Sequence, residues 1–190
     1  MSYFPLFIDL TGKRCVVVGG GAAAARKAKT LLDFGAAITV LDPSASDEIR
    51  ALSPPIALRE YAYTGAAELS GAALVIAATD KPEVNRQVGE DAKKQNIPVN
   101  VVDDPELCTF YFPGIVRRGE LVGGISTSGG CPRLTARLRE QLETLWSPAL
   151  GETLKVLKTE RRRLRAAGAD TGEIIQRLDL MIARLVDSRQ

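Results

Sequence analysis

The stretch from Arg14 to Asp42, RCVVVGGGAAAARKAKTLLDFGAAITVLD, narrows what this chain can fold into more than any other segment. A β-branched run, Val16 to Val18, enters three glycines and leaves into an alanine-rich segment; Ile38-Thr39-Val40-Leu41 then ends on Asp42. The order is strand, glycine turn, helix, strand, acid. Matched to the pattern G-x-G-x-x-A, Gly19 permits the tight turn, Gly21 lets the backbone approach a pyrophosphate, and Ala24 lets the helix lie close to the sheet. Gly20, Ala22 and Ala23 complete the turn and the helix start, where free N–H groups and the positive end of the helix dipole favour that pyrophosphate. Asp42 stands roughly 20 residues on, placed to accept hydrogen bonds from an adenosine ribose, and its charge would repel a 2′-phosphate, so NAD is expected over NADP. The bland alternatives are a structural turn in an α/β domain and, for Asp42, a solvated acid before Pro43.

Further along, Leu74-Val75-Ile76-Ala77-Ala78 is a continuous apolar run of the kind buried on both faces of a parallel sheet. It ends at Thr79-Asp80, and Pro82 suits the first turn of a helix reaching about Gln95. Ligands bind at the carboxyl ends of strands in open α/β sheets, so Thr79 and Asp80 are expected to face the nucleotide, although Asp80 also reads as a helix N-cap. Ile56 to Tyr61 is a weaker strand candidate, Pro43 to Pro55 a loop with one helical turn, and Pro98 to Val102 a further strand ending in Asp103-Asp104-Pro105. The fold expected from this alternation is α/β, a Rossmann-type doubly wound parallel sheet over residues 1–112. The apolar opening, Tyr3 to Ile8, leads into the sheet or covers one edge of it.

After Cys108 the pattern changes. Phe110 to Val116 and Leu121 to Ser126 read as two strands joined at Arg117 to Glu120, a small α+β segment over 113–147 suited to pairing with a second chain. A second glycine-bearing turn, Thr127 to Pro132, enters a helix whose Leu134, Leu138, Leu142 and Leu145 share a face. Ser147-Pro148 reads as a cap and start for a helical domain over 148–190, broken at Gly168.

Composition limits the chemistry. A net charge of +2 gives no argument for nucleic acid. No apolar run reaches the length of a membrane span and the N-terminus lacks the form of a signal peptide, so a cytoplasmic location without a membrane partner is expected. Cys15, Cys108 and Cys131 are too few and too scattered for a disulfide framework or a C-x-x-C metal site. The absence of histidine excludes an imidazole base, a Ser-His-Asp triad and a His-containing zinc site. No resident metal is expected, and proton chemistry falls to carboxylates, Lys, Tyr, Cys or water.

Several of these segments form a collinear set. They are Val16 to Gly21 with Arg26-Lys27, Ala77 to Asp80 with Asn85, Asn100 to Pro105, Phe112-Pro113, and Ile125 to Pro132 with Leu134 to Glu140. Together they resemble the precorrin-2 dehydrogenase family, which includes the dehydrogenase-ferrochelatase portions of sirohaem synthases. The resemblance implies NAD-dependent oxidation of precorrin-2 to sirohydrochlorin, ferrous iron insertion in the members capable of it, and a homodimer whose active sites use both chains. It assigns the proton-accepting carboxylate to Asp104, whose neighbour Asp103 would repel its charge, while the alternative is that both acids simply form the turn before Pro105. The tetrapyrrole's acetates and propionates call for cations and N–H donors: Arg117, Arg118, Arg133, Arg137 and Arg139 by position, with Arg117 and Arg133 foremost, and Ser126, Ser128 and Gly129 in the second glycine turn; the bland alternatives are solvated charges for any one arginine and a plain helix entry for the turn. Gly123-Gly124 and Cys131 depart from the family pattern and, with the missing histidine, weigh more against chelation than against dehydrogenation. A reading from another class remains, a non-catalytic NAD(H)-binding Rossmann sensor, which has no need of Asn100 to Pro105 or of the second glycine turn.

Overall fold

The computed structural model describes residues 3–52 and 56–185. It divides into two compact units, Met1–Phe112 and Pro113–Gln190. The first is built on five parallel strands, β1 (Arg14–Val18), β2 (Ala37–Leu41), β3 (Ile56–Arg59), β4 (Leu74–Ala77) and β5 (Val99–Val101), in the spatial order β3-β2-β1-β4-β5. In-register pairing sets Val16 beside Thr39 on one side and Val75 on the other, so β1 is central. Alternate residues feed two cores. Cys15, Val17, Ile38, Val40 and Ile76 meet Ala24, Ala28 and Leu31 of helix α1 (Ala22–Asp33) on one face. Val16, Val18, Leu41 and Val75 meet Val88 and Ala92 of helix α3 (Pro82–Lys94) on the other, with the one-turn α2 (Asp47–Arg50) lying between them in sequence. Burial on both faces is why these strands read as continuous apolar runs rather than alternating ones. Each fully buried Val, Leu or Ile stabilises the sheet by roughly 1.5–3 kcal/mol relative to exposure.

Several expected boundaries shift. The weak candidate at Ile56 is a real edge strand, ending at Arg59, and β5 is shorter than the apolar run because Pro98 has no N–H for the ladder and Val102 already turns out. Residues 3–9 join no strand and stay exposed, while Leu10 enters the core. Lys81, not Asp80, is the cap residue of α3 and makes no side-chain cap bond, which removes the capping role considered for Asp80. The end of the loop expected over Pro43 to Pro55 lies outside the described residues.

The second unit, from Pro113 on, holds a β-hairpin followed by helices. Strands β6 (Gly114–Arg118) and β7 (Leu121–Ile125) pair antiparallel through the short connection Gly119-Glu120, with Gly119 at φ 62°. β6 begins later than expected because Phe110, Tyr111 and Phe112 pack against the two cores of the first unit. An isolated hairpin is marginal in water, and here helix α4 (Pro132–Leu145) and helix α5 (Ala149–Ala166) both pack on it. Gly123 leaves room for the Trp146 indole: a Cβ there would sit 2.7 Å from the ring. Arg118 closes the end of α4, donating from Nε to the Trp146 carbonyl at 2.8 Å and from Nη2 to that of Glu143 at 2.9 Å. The α5 cap residue is Pro148 rather than Ser147, whose carbonyl instead accepts from Leu150 N. Gly168, at φ 79°, ends α5, and helix α6 (Thr171–Leu185) starts on a reciprocal cap: Asp170 Oδ1 accepts from Glu173 N, and Glu173 Oε2 from Asp170 N.

Candidate functional site

The carboxyl ends of β1, β2 and β4 open into a cavity of about 510 Å³. The three glycines that enter it do different work. Gly19 has φ 120° and a Cβ there would lie 2.2 Å from the Ala78 carbonyl oxygen, so only glycine lets β1 pass the end of β4 and turn. A Cβ on Gly20 would strike Ala45 and the Asp42 carboxyl, each at 2.7 Å. Gly21 faces open space, as a backbone approached by a ligand must. Behind it Ala25 N already donates to the Gly21 carbonyl, whereas the first-turn amides of Ala22 and Ala23 precede the intrahelical ladder. No acid lies in that turn and no side chain caps it, so α1 carries no charge of its own to offset its positive end.

Asp42, at the end of β2, lines the same cavity and is oriented by Ser44, whose N–H donates to Oδ1 at 2.7 Å. Across from it stand Thr79 and Asp80. Asn85 of α3 locks that edge: its Oδ1 accepts from Thr79 N at 2.9 Å, and its Nδ2 donates to the Thr79 carbonyl at 3.0 Å. The Thr79 hydroxyl accepts from Lys81 N. Thr79 therefore serves the cavity as a fixed wall, and Asp80 is exposed beside it. The expected cofactor residues Gly20, Gly21, Asp42, Thr79 and Asp80 thus line one cavity, with Gly19, Ala22 and Ala23 adjoining it in the chain. A dinucleotide fits these residues: an open glycine backbone for its pyrophosphate and a carboxylate for its ribose.

Sequence reasoning missed Ser44, Ser46, Tyr63, Lys81 and Val84, which also line the cavity. They arrive on loops whose placement depends on the fold, and no short motif marks them. Tyr63 is the most constrained. Its hydroxyl donates to the nearly buried Asp91 at 3.0 Å, and burial first, then that carboxylate, pushes the phenol well above the usual tyrosine range.

Asp103 and Asp104 lie on the turn leaving β5 and do not line the cavity. Asp104 is 28% exposed, with Oδ2 3.6 Å from Arg86 Nη2. Asp103 is exposed at φ 60°, without an ion-pair partner among the described residues.

The expected substrate groups all fall in the second unit. Ser126 Oγ accepts from Ser128 N at 3.0 Å; Ser128 and Gly129 take φ 52° and 79°. Gly130 N and Cys131 N are also satisfied inside the turn, by the carbonyl and hydroxyl of Thr127. The concavity expected there therefore keeps fewer donors than a free run of amides. Arg133 is exposed beside it. Arg117 is exposed elsewhere: it pairs with Val122 toward the far end of the hairpin, roughly 10 Å from Gly114 and Ile125 at about 3.3 Å per residue, and its Nε donates to the Gly119 carbonyl. Among the described residues, no group of three or more His, Cys, Asp or Glu is arranged to hold a metal ion, and no helix is long and apolar enough to cross a membrane.

Residues 6–114 match the profile of a family described as "Putative NAD(P)-binding". The chain is 43% identical over 178 residues to a siroheme synthase of Pseudomonas putida, which covers 91% of the chain and 38% of that relative. It is 44% identical over 167 residues to a siroheme synthase of Psychrobacter cryohalolentis, covering 87% of the chain and 32% of the relative. The chain thus spans about a third of the length of these curated relatives. A solved structure described as SirC, precorrin-2 dehydrogenase, superposes with a TM-score of 0.78 at 27% identity, covering 95% of this chain and 89% of that one.

Proposed function

The chain belongs to the NAD(P)-binding family that its first unit matches, and from that premise we propose that it is a precorrin-2 dehydrogenase, oxidising precorrin-2 to sirohydrochlorin with NAD⁺. The observation that carries this reading is the collinear likeness to SirC over nearly the whole chain, including the second unit, which a nucleotide fold alone does not require. A non-catalytic NAD(H) sensor is not favoured, since the relatives that the chain matches bear the names of biosynthetic enzymes.

NAD⁺, when bound, accepts the hydride; the remaining work belongs to the chain's own residues. The Gly19 to Gly21 turn and the Ala22 and Ala23 amides hold the pyrophosphate. Asp42 holds the ribose and disfavours a 2′-phosphate. Thr79, fixed by Asn85, and Asp80 next to it wall the cofactor on the β4 side. Oxidation removes one hydrogen as hydride and one as a proton, and with no histidine in the chain the proton goes to a carboxylate of the β5 turn. Asp104 is the acid assigned to this step. The Arg86 contact engages Asp104, while Asp103 has no ion-pair partner among the described residues, which favours Asp103 as a second reading. Arg133, Arg117, Ser126, Ser128 and Gly129 are assigned to the macrocycle's carboxylates.

The same reading makes the protein a cytoplasmic homodimer. Three unpaired cysteines fit a reducing compartment. Phe4, Leu6 and Phe7, and Leu134, Leu138 and Leu145 on α4, are exposed in a single chain, as apolar groups awaiting a partner are.

The test is anaerobic turnover of precorrin-2 with NAD⁺, followed by NADH absorbance, for the wild type, Asp103→Asn and Asp104→Asn. The variant that removes the proton acceptor should lose about 10²–10⁴-fold in kcat with NAD⁺ affinity retained. Wild-type protein that binds NAD⁺ but never forms NADH from precorrin-2 would overturn the proposal. A parallel incubation of sirohydrochlorin with Fe²⁺ reads whether iron is a substrate too.

A further inference from the structure

Lys27 is a half-buried cation in the first unit with no carboxylate within ion-pair distance among the described residues. Burial first, and then Arg26, push its pKa below the ordinary lysine range. Its Nζ donates to Asn100 Oδ1 at 2.9 Å and sits 4.3 Å from the centroid of the Phe112 ring. A desolvated ammonium held only by an amide oxygen and a ring face is costly compared with an apolar side chain of the same length. What it supplies is direction. Lysine can only donate, and the Phe110 carbonyl, 3.1 Å from Asn100 Nδ2, can only accept, so the two together leave the buried Asn100 amide a single orientation.

From Asn100 the network reaches the acidic turn. Asn100 Nδ2 also faces Cys108 Sγ at 3.5 Å. The same buried sulfur accepts from Val101 N at 3.2 Å and lies within donating reach of the carbonyls of Val101, at 3.2 Å, and Asp104, at 3.4 Å. Burial raises the Cys108 thiol, so it keeps the proton that it donates. The turn bracketed in this way carries Asp103 in the left-handed region at φ 60°, a conformation that Asp tolerates better than most non-glycine residues and that these contacts help to hold.

We propose that Lys27 is a positioning residue which, through Asn100 and Cys108, fixes the β5 turn that presents Asp103 and Asp104. This rests on the reading of that turn as the source of the proton acceptor. Lys27 touches neither acid; it acts by setting the Asn100 amide, which sets the sulfur, which holds the Asp104 carbonyl.

Full-length Lys27→Met, Lys27→Arg, Cys108→Ala and Cys108→Ser decide it, with amide hydrogen exchange read beside steady-state kinetics. In Lys27→Met, amides over residues 102–108 should exchange at least about tenfold faster while those of β1 and β2 keep their rates. Its kcat should fall about tenfold or more, with KM for precorrin-2 and the affinity for NAD⁺ little changed. Lys27→Arg, which restores a cationic donor, should recover most of both effects. Cys108→Ala should repeat the exchange effect and Cys108→Ser soften it; this pair stands in if Lys27→Met fails to fold. A turn and a kcat that both stay at wild-type values overturn the proposal, as does faster exchange spread evenly over the whole unit, or a change in one readout without the other. If the wild type turns over no precorrin-2, the functional reading fails while the exchange pattern still decides whether Lys27 fixes the turn.

Discussion

Asp42 shows how much a single side chain in this fold can be read from spacing alone. Its position after β2 and the glycines before α1 are local features of one βαβ unit, so Gly19, Gly21 and Asp42 were legible without any tertiary knowledge. What spacing did not reveal is that Gly20 is glycine because the Asp42 carboxyl and Ala45 occupy the place of its Cβ. Lys27 was hidden more deeply, since its partner Asn100 lies 73 residues away and a lysine on a helix ordinarily reads as solvated. Asp42→Ala removes the proposed ribose acceptor and the charge proposed to repel a 2′-phosphate. At about 1.5–3 kcal/mol for hydrogen bonds to a charged group, NAD⁺ affinity should weaken roughly 10- to 100-fold, and NADP⁺ affinity should weaken less. Parallel fluorescence titrations of the two reduced cofactors check this. Unchanged NADH affinity would remove Asp42 from the ribose.

At the level of elements, the sequence located helices and central strands well and edges poorly. Helix α3 begins at Pro82 as expected because a proline at the first position satisfies a purely local rule. Strand β6 begins late because where Phe110 to Phe112 pack depends on cores assembled from distant segments. The α5–α6 hairpin mixes the two cases: Gly168 and the Asp170–Glu173 cap are local signals, but the link between the helices is not. Glu160 on α5 faces Arg163, one turn on, at 2.7 Å and Arg177 of α6 at 3.2 Å, and its own side chain is only 14% exposed. Hydrogen bonds from Arg163 and then Arg177 hold its carboxyl down at about 2, against 4.5 for an ordinary glutamate. A carboxylate whose pKa is lower in the folded state contributes stability that is present above about pH 4.5 and lost as the pH falls toward 2. Amide exchange along α5 and α6 should therefore accelerate between those values, and Glu160→Gln should flatten the acid dependence. An unchanged profile in the variant would place the acid-sensitive group elsewhere.

For the molecule as a whole, the first unit was the easier to foresee because its logic is carried by one repeated pattern, strand then helix, and by the order in which strands add to β1. The second unit offers no such rule. Its two-stranded sheet is stabilised by helices that come later in the chain, and α4 buries none of its residues fully within a single copy. Leu134, Leu138 and Leu145 remain exposed along α4, although their spacing is that of a face made to be covered. If a second copy covers that face, folding and association are linked, and the unfolding midpoint should rise with protein concentration, which it does not for a monomer. Leu138→Glu places a charge where the proposed dimer would bury an apolar side chain. It should lower the mass seen by light scattering toward that of the 20.4 kDa chain and abolish the concentration dependence. NAD⁺ binding should survive this change, because the cavity proposed to hold it is lined, among the described residues, by residues of the first unit. Wild-type protein that scatters as a monomer at every concentration would assign the exposed leucines to another partner and leave the cofactor site untouched.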